Sequence, residues 1–139
     1  MIFGFTGTRR GMSLIQKTFL ISAMMIAKPK EFHHGDCAGA DAEAHKIIRN
    51  WVPMCRIVIH PPGLMTGRAF CEGDESRPMK PYLVRNRNIV DSCDVLIAAP
   101  LGEEEEWRSG TWSTIRYARK RGIKVYILKR NGIDNDSSV

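Results

Sequence analysis

The sequence predicts an α/β fold: one Rossmann-like domain with a five-stranded, mainly parallel sheet and helices on both faces. Three observations predict it. Short apolar runs suited to buried strands alternate with stretches of helical period, as in successive βαβ units. A chain of 139 residues, 43% of them hydrophobic, has material for one core and one domain. Glycine-bearing turns fall where strands give way to helices, the place at which such sheets hold their ligands.

The first strand is Ile2 to Thr6, broken by Gly7-Thr8-Arg9-Arg10-Gly11. Ser13 to Lys28 then carries Leu14, Ile15, Phe19, Ile21, Met25 and Ile26 at helical spacing, read as the inward face, and Pro29 ends the helix. Glu31 to Gly35 is a second strand, residues 36–39 a turn, and Ala40 to Trp51 a second helix with Ala40, Ala44, Ile47, Ile48 and Trp51 inward. Arg56 to His60 is a third strand, stopped by Pro61-Pro62. Residues 63–81, with three glycines and no clear period, read as a loop too long to be a plain connection. Tyr82 to Ser92 reads as a helix, Asp94 to Ala99 as the fourth strand, Ser109 to Arg121 as the last helix with Gly122 as its C-cap, and Lys124 to Leu128 as the fifth strand. The domain is expected to span residues 1–130, and residues 131–139 to form a flexible polar tail.

The opening MIFGFTG has no charged leader region, and the longest apolar stretch, Thr18 to Ala27, is short of the roughly 20 residues a membrane span needs. A cytoplasmic protein without membrane partners is expected. Cysteines at 37, 55, 71 and 93 form neither a zinc-ribbon pattern nor a disulfide framework, so free thiols are expected. The net charge of +6 suits a polyanionic partner, nucleic acid included, but the basic residues are scattered. No spacing enforces a metal site. His33 and His34 alternate along one strand and point to opposite faces, and His34, Cys37 and His60 are the nearest approach to a ligand set. No metal and no cofactor are expected.

Three loops lie at strand ends, where free N–H groups at helix starts make anion sites. In the first, Gly7 lets backbone approach a phosphate while Thr8 and Arg9 offer a hydroxyl and a charged donor. In the second, Gly35 and Gly39 flank a turn, and Asp36 or Asp41 is placed to accept from ribose hydroxyls or to cap the helix. In the third, Ser109-Gly110-Thr111 opens the last helix, with its dipole toward a phosphate. Arg85 and Asn88, three residues apart, share a face of the preceding helix, and Arg85 reads as a ligand clamp. Glu103 to Glu106 read as a solvated flap, and Trp107 and Trp112 either stack on a base or cover the core.

These loops in this order resemble the SLOG superfamily of Rossmann-like nucleotide-binding domains, which includes lonely-guy type phosphoribohydrolases, the DNA-processing protein A family and nucleotide-sensing modules. The matching pieces are Gly4-Phe5-Thr6-Gly7-Thr8-Arg9, residues 35–41, Arg85-Asn86-Arg87-Asn88-Ile89, and Asp94 to Pro100 leading to Ser109-Gly110-Thr111. The resemblance implies a catalytic arginine at Arg85, nine residues before Asp94. The hydrolases also carry a glutamate, where Thr114 stands here, so the resemblance implies binding without glycosidic cleavage unless Asp36 or a residue of Glu103 to Glu106 substitutes. It also implies a homo-oligomer.

The leading expectation is binding or sensing of a nucleotide or nucleotide-derived small molecule by Gly7, Thr8, Arg9, Gly35, Asp36, Gly39, Asp41, Arg85, Asn88, Ser109, Gly110 and Thr111. The alternatives are a nucleoside 5'-monophosphate N-glycosidase with Arg85 and Asp36 in catalytic roles, and single-stranded DNA binding.

Overall fold

In the computed structural model, which describes residues 1–132, the expected alternation of strands and helices is present. The tail expected over residues 131–139 falls mainly on positions outside the described residues. The elements are β1 (Ile2–Gly7), α1 (Leu14–Ala27), β2 (Glu31–His34), α2 (Ala40–Trp51), β3 (Arg56–Ile59), β4 (Glu75–Ser76), α3 (Tyr82–Ser92), β5 (Val95–Ala99), α4 (Gly110–Lys120) and β6 (Lys124–Ile127). The sheet runs β4-β3-β2-β1-β5-β6, every neighbouring pair parallel.

Six strands replace the five expected. The addition is β4, two residues inside the long 63–81 segment, with Val58 and Ile59 of β3 registering against Glu75 and Ser76. So short a strand has no period to read. It closes the sheet edge with charge: Glu75 pairs with both Arg56 and Arg77, which discourages a further strand from adding there.

Period-two alternation sorts each central strand between two cores. Phe3, Phe5, Val95 and Ile97 meet Leu20 and Met24 of α1 and Ala44 and Ile48 of α2, while Leu96 and Ala98 meet Ile89 of α3 and Ile115 of α4. Helices therefore cover both faces, α1 with α2 on one and α3 with α4 on the other.

The inward face of α1 differs from the expected one. Leu14, Phe19, Met25 and Ile26 are exposed, and Gln16, Leu20 and Met24 are buried. Apolar residues ring most of this helix, so their spacing does not select a face; hydrogen bonding does. Gln16 completes a capping box with Ser13 and donates from Nε2 to the carbonyls of Pro100, at 3.0 Å, and Leu128, at 2.7 Å. A polar side chain thus ties the start of α1 to the ends of β5 and β6. In α2 the expected face holds, except that Trp51 is half exposed.

Candidate functional site

The strand order reverses between β1 and β5. The chain leaves β1 toward β2 on one side, and β5 lies on the other, so the loops after these two adjacent strands diverge and leave a crevice at their carboxyl ends. A cleft of about 450 Å³ sits there. Its walls include Gly7, Thr8 and Arg9 after β1, Gly35, Cys37 and Asp41 between β2 and α2, Tyr82, Arg85 and Asn86 of α3, and Ser109, Gly110 and Thr111 at the start of α4.

The β1 loop is pinned by backbone. Thr8 N–H donates to Ala99 O at 3.0 Å, and Thr8 O accepts from Ala40 N–H at 3.0 Å and Gly11 N–H at 3.2 Å. Gly39, at φ +90°, lies so close to Arg9 that a Cβ there would overlap the Arg9 carbonyl. That contact holds the β1 loop and the start of α2 together. On the opposite wall, Ser109 Oγ caps α4 by accepting from Trp112 N–H at 3.2 Å. The first-turn amides of Gly110 and Thr111 precede the intrahelical ladder and stay available to an anion.

Arg85 is buried, at 5% exposure, and its donors are mostly used: Nε meets Asn86 Oδ1 at 2.7 Å, and Nη1 donates to the carbonyls of Gly35 and His60. Nη2 touches Cys37 Sγ at 3.7 Å. Carbonyls satisfy hydrogen bonds without cancelling charge, and among the described residues no carboxylate forms a direct ion pair with Arg85. The cleft floor therefore carries a buried cation with no direct ion-pair partner, balanced only at longer range by Asp41, and this favours an anionic occupant. Arg9 adds a second, stacked 4.5 Å over the Tyr82 ring whose centroid is 5.3 Å from Arg85 Cζ.

Asp41 is the unusual group. It is 6% exposed; Oδ2 accepts from Cys37 N–H at 3.2 Å, while Oδ1 is buried and meets no donor in hydrogen-bonding geometry. Burial pushes its carboxyl up to about 6, against the pull of the Arg85 guanidinium and of the Cys37 and Gly35 amides.

Of the twelve residues expected at the site, nine line this cleft: Gly7, Thr8, Arg9, Gly35, Asp41, Arg85, Ser109, Gly110 and Thr111. Gly39 acts behind the wall. Asn88 lies in a separate hollow with His60 and Arg77, because the cleft-facing stripe of α3 is Tyr82, Arg85, Asn86 and Ile89. That stripe has the i, i+3, i+4, i+7 spacing of one helical face, a signal present in the sequence that would have replaced Asn88 by Asn86 and added Tyr82.

Asp36, expected as a ribose acceptor or catalytic carboxylate, is fully buried and committed elsewhere. Its oxygens accept from Arg68 Nε and Cys71 N–H, each at 2.8 Å, and its carbonyl accepts from Ala69 N–H at 2.8 Å. With Ala38 N–H donating to Gly67 O at 2.8 Å, it fastens the 63–81 segment to the end of β2. Asp36→Ala is expected to cost about 3–5 kcal/mol by stranding Arg68 and to speed tryptic cleavage at the Arg68–Ala69 bond; unchanged cleavage would show the segment to be held by other contacts.

Thr114 turns its Oγ1 onto Gly110 O at 2.9 Å and is buried, so the position where the hydrolases carry a glutamate contributes no group to the cleft. The carboxylates lining it are Asp41 and Glu106. Trp112 is core, and Trp107 is exposed beneath Arg116.

The histidines form two buried pairs on opposite sheet faces, as their alternation requires. His33 Nδ1 lies 2.8 Å from His60 Nε2, and burial brings His60 down to about 3. His34 Nε2 lies 2.9 Å from His45 Nδ1, and these atoms are within 4.8 Å of Cys71 Sγ, a set differing from the expected His34, Cys37 and His60. His34 Nδ1 accepts the Asp36 amide at 2.9 Å, which leaves the proton on Nε2. Burial and the Asp36 carboxylate raise Cys71 to about 12. His34 and His45 are thus arranged as a hydrogen-bonded support for the β2 end.

Fold and cleft together define a Rossmann-type α/β domain with a cleft at the reversal of strand order. Solved structures share that fold. The molybdenum cofactor binding protein from the phototrophic bacterium Rippkaea orientalis superposes with a TM-score of 0.71 at 20% identity, covering 92% of this chain and 76% of that one. TM1055, a structural-genomics target, gives 0.65 at 14% identity over 91% of this chain and 73% of its own. DNA processing protein A from Streptococcus pneumoniae gives 0.68 at 18% identity; 98% of this chain is covered but only 52% of that protein, so the chain spans about half its length. These likenesses show the Rossmann-type α/β fold that the sequence predicts. No family model and no curated protein matches the sequence. Among the described residues no helix is long and apolar enough to cross a membrane.

Proposed function

We propose that this chain binds or senses a nucleotide or nucleotide-derived small molecule, held by its phosphate in the cleft between the β1 and β5 loops. The observation that carries the reading is the pairing of a buried cation without a direct ion-pair partner, Arg85, with the free first-turn amides of Gly110 and Thr111 on the walls of one cavity. Gly7 and Arg9 supply close backbone approach and a second charge from the facing loop. A cavity of about 450 Å³ falls within the range of small-ligand sites. The fold shared with a molybdenum cofactor binding protein supports a small-molecule occupant.

A panel of nucleoside mono-, di- and triphosphates in a thermal-shift assay tests this. A ligand bound only by the folded state adds about 2.7 kcal/mol at 100-fold its Kd, a rise of several degrees for a domain of this size. If no member of the panel raises Tm, the reading fails. The same incubations are expected to release no free base, because Thr114 stands in place of a carboxylate; steady release abolished by Glu106→Gln would make the cleft hydrolytic.

A further inference from the structure

We infer that Asp41 is the second recognition point of this cleft, accepting a hydrogen bond from an O–H or N–H donor that the ligand carries in addition to its phosphate. The inference rests on the phosphate-binding reading above and names the ligand class: a phosphate ester with a donor on its sugar or base, as distinct from a bare phosphate or polyphosphate.

The walls have opposite chemistry. Gly110 and Thr111 follow β5, whereas Asp41 begins α2 after β2, and β1 lies between these strands. Two strand spacings place the walls about 10 Å apart, a span that a sugar phosphate or nucleoside monophosphate bridges. The α4 wall offers N–H groups and takes an anion. The Asp41 wall offers an acceptor oxygen, which would repel a second anion and attract a donor.

Asp41 Oδ1 makes no hydrogen bond of good geometry although its neighbour Oδ2 makes one and the Gly35 amide lies close to the carboxyl, and buried acceptors are nearly always satisfied. Oδ1 is also buried. Helix capping does not account for the residue, because the N-cap of α2 is Gly39 and no side chain caps it. A turn of the carboxyl about χ2, a broad torsion, presents one oxygen to the cleft while the other keeps the Cys37 amide. The raised proton affinity of the group follows from the same desolvation and supports an environment completed by a ligand.

Asp41→Asn is the discriminating variant. Its amide oxygen must face the Cys37 N–H, which leaves Nδ2 toward the cleft and sets donor against donor. Calorimetric titrations of wild type and variant use AMP, IMP, ribose 5-phosphate, 2-deoxyribose 5-phosphate and inorganic phosphate. The expected result is that AMP binds wild type at least tenfold more tightly than inorganic phosphate, that Asp41→Asn loses at least tenfold for AMP, and that inorganic phosphate changes less than twofold. Wild-type weakening with 2-deoxyribose 5-phosphate relative to ribose 5-phosphate assigns the donor to the sugar; weakening with IMP relative to AMP assigns it to the base amine. Unchanged AMP affinity in Asp41→Asn overturns the inference and leaves the phosphate site standing. Equal wild-type affinity for all five probes overturns it without any variant. No binding of any probe overturns the phosphate reading itself, and this inference with it.

Discussion

Asp41→Asn is expected to make the protein more stable at pH 8, by about 3 kcal/mol, and to leave stability nearly unchanged at pH 3.5. The Asp41 carboxyl is raised from 3.8 to about 6 by burial, so the folded state holds a proton that the unfolded chain has already lost. Stability associated with this group is complete below 3.8, falls as pH rises between the two values, and is fully lost above about 6. The interval between them, at 1.36 kcal/mol per tenfold, gives the expected difference. Asparagine mimics the neutral acid and removes the penalty. Urea unfolding of both proteins across pH 3.5–8 checks it, and a variant less stable than wild type at pH 8 would contradict the placement of an unsatisfied carboxylate in the cleft. Gain of stability together with loss of AMP affinity would mark Asp41 as a group kept for binding at the expense of the fold.

Gly39→Ala is expected to be the most damaging small substitution in the site, costing about 3–5 kcal/mol. Two causes add. The residue sits at φ +90°, and its missing Cβ is the space occupied by the Arg9 backbone. Gly122→Ala separates them: Gly122 has φ +77° with nothing within 4 Å of the position a Cβ would take, so only the backbone strain applies, at about 1–2 kcal/mol. Comparable losses in the two variants would mean that the β1 loop does not press on the start of α2 as described. A much larger loss at Gly39, with weakened ligand binding, would show that this contact positions Arg9.

The sheet and its helices were legible because buried parallel strands read as compact apolar runs and the intervening stretches have helical period; Val95 to Ala99, buried at every position, is the clearest case. The glycine loops were legible for a related reason, since close approach and positive φ leave few other residues possible. What escaped depends on partners distant in sequence. Nothing near Asp36 announces that Arg68 and the Cys71 amide will consume both its oxygens, 32 and 35 residues later. The face of α1 was misread because Gln16, a polar residue, is buried by carbonyls more than 80 residues away. The phase of α3 was ambiguous because Arg85 pairs at helical spacing with Asn88 and with Tyr82 and Ile89 alike. In β4, two residues carry no pattern, and the strand exists through its register with β3.

The central claim is that the β1 loop and the start of α4 together receive the phosphate of a nucleotide-type ligand. Titrating 15N-labelled protein with AMP and following backbone amides by NMR tests it most directly. Amides that donate to phosphate shift strongly downfield, and the account predicts the largest shifts at Arg9, Gly110 and Thr111, with Gly122 at the far end of α4 unmoved. Saturable shifts confined to other surfaces, or none at millimolar AMP and other nucleotides, would contradict it.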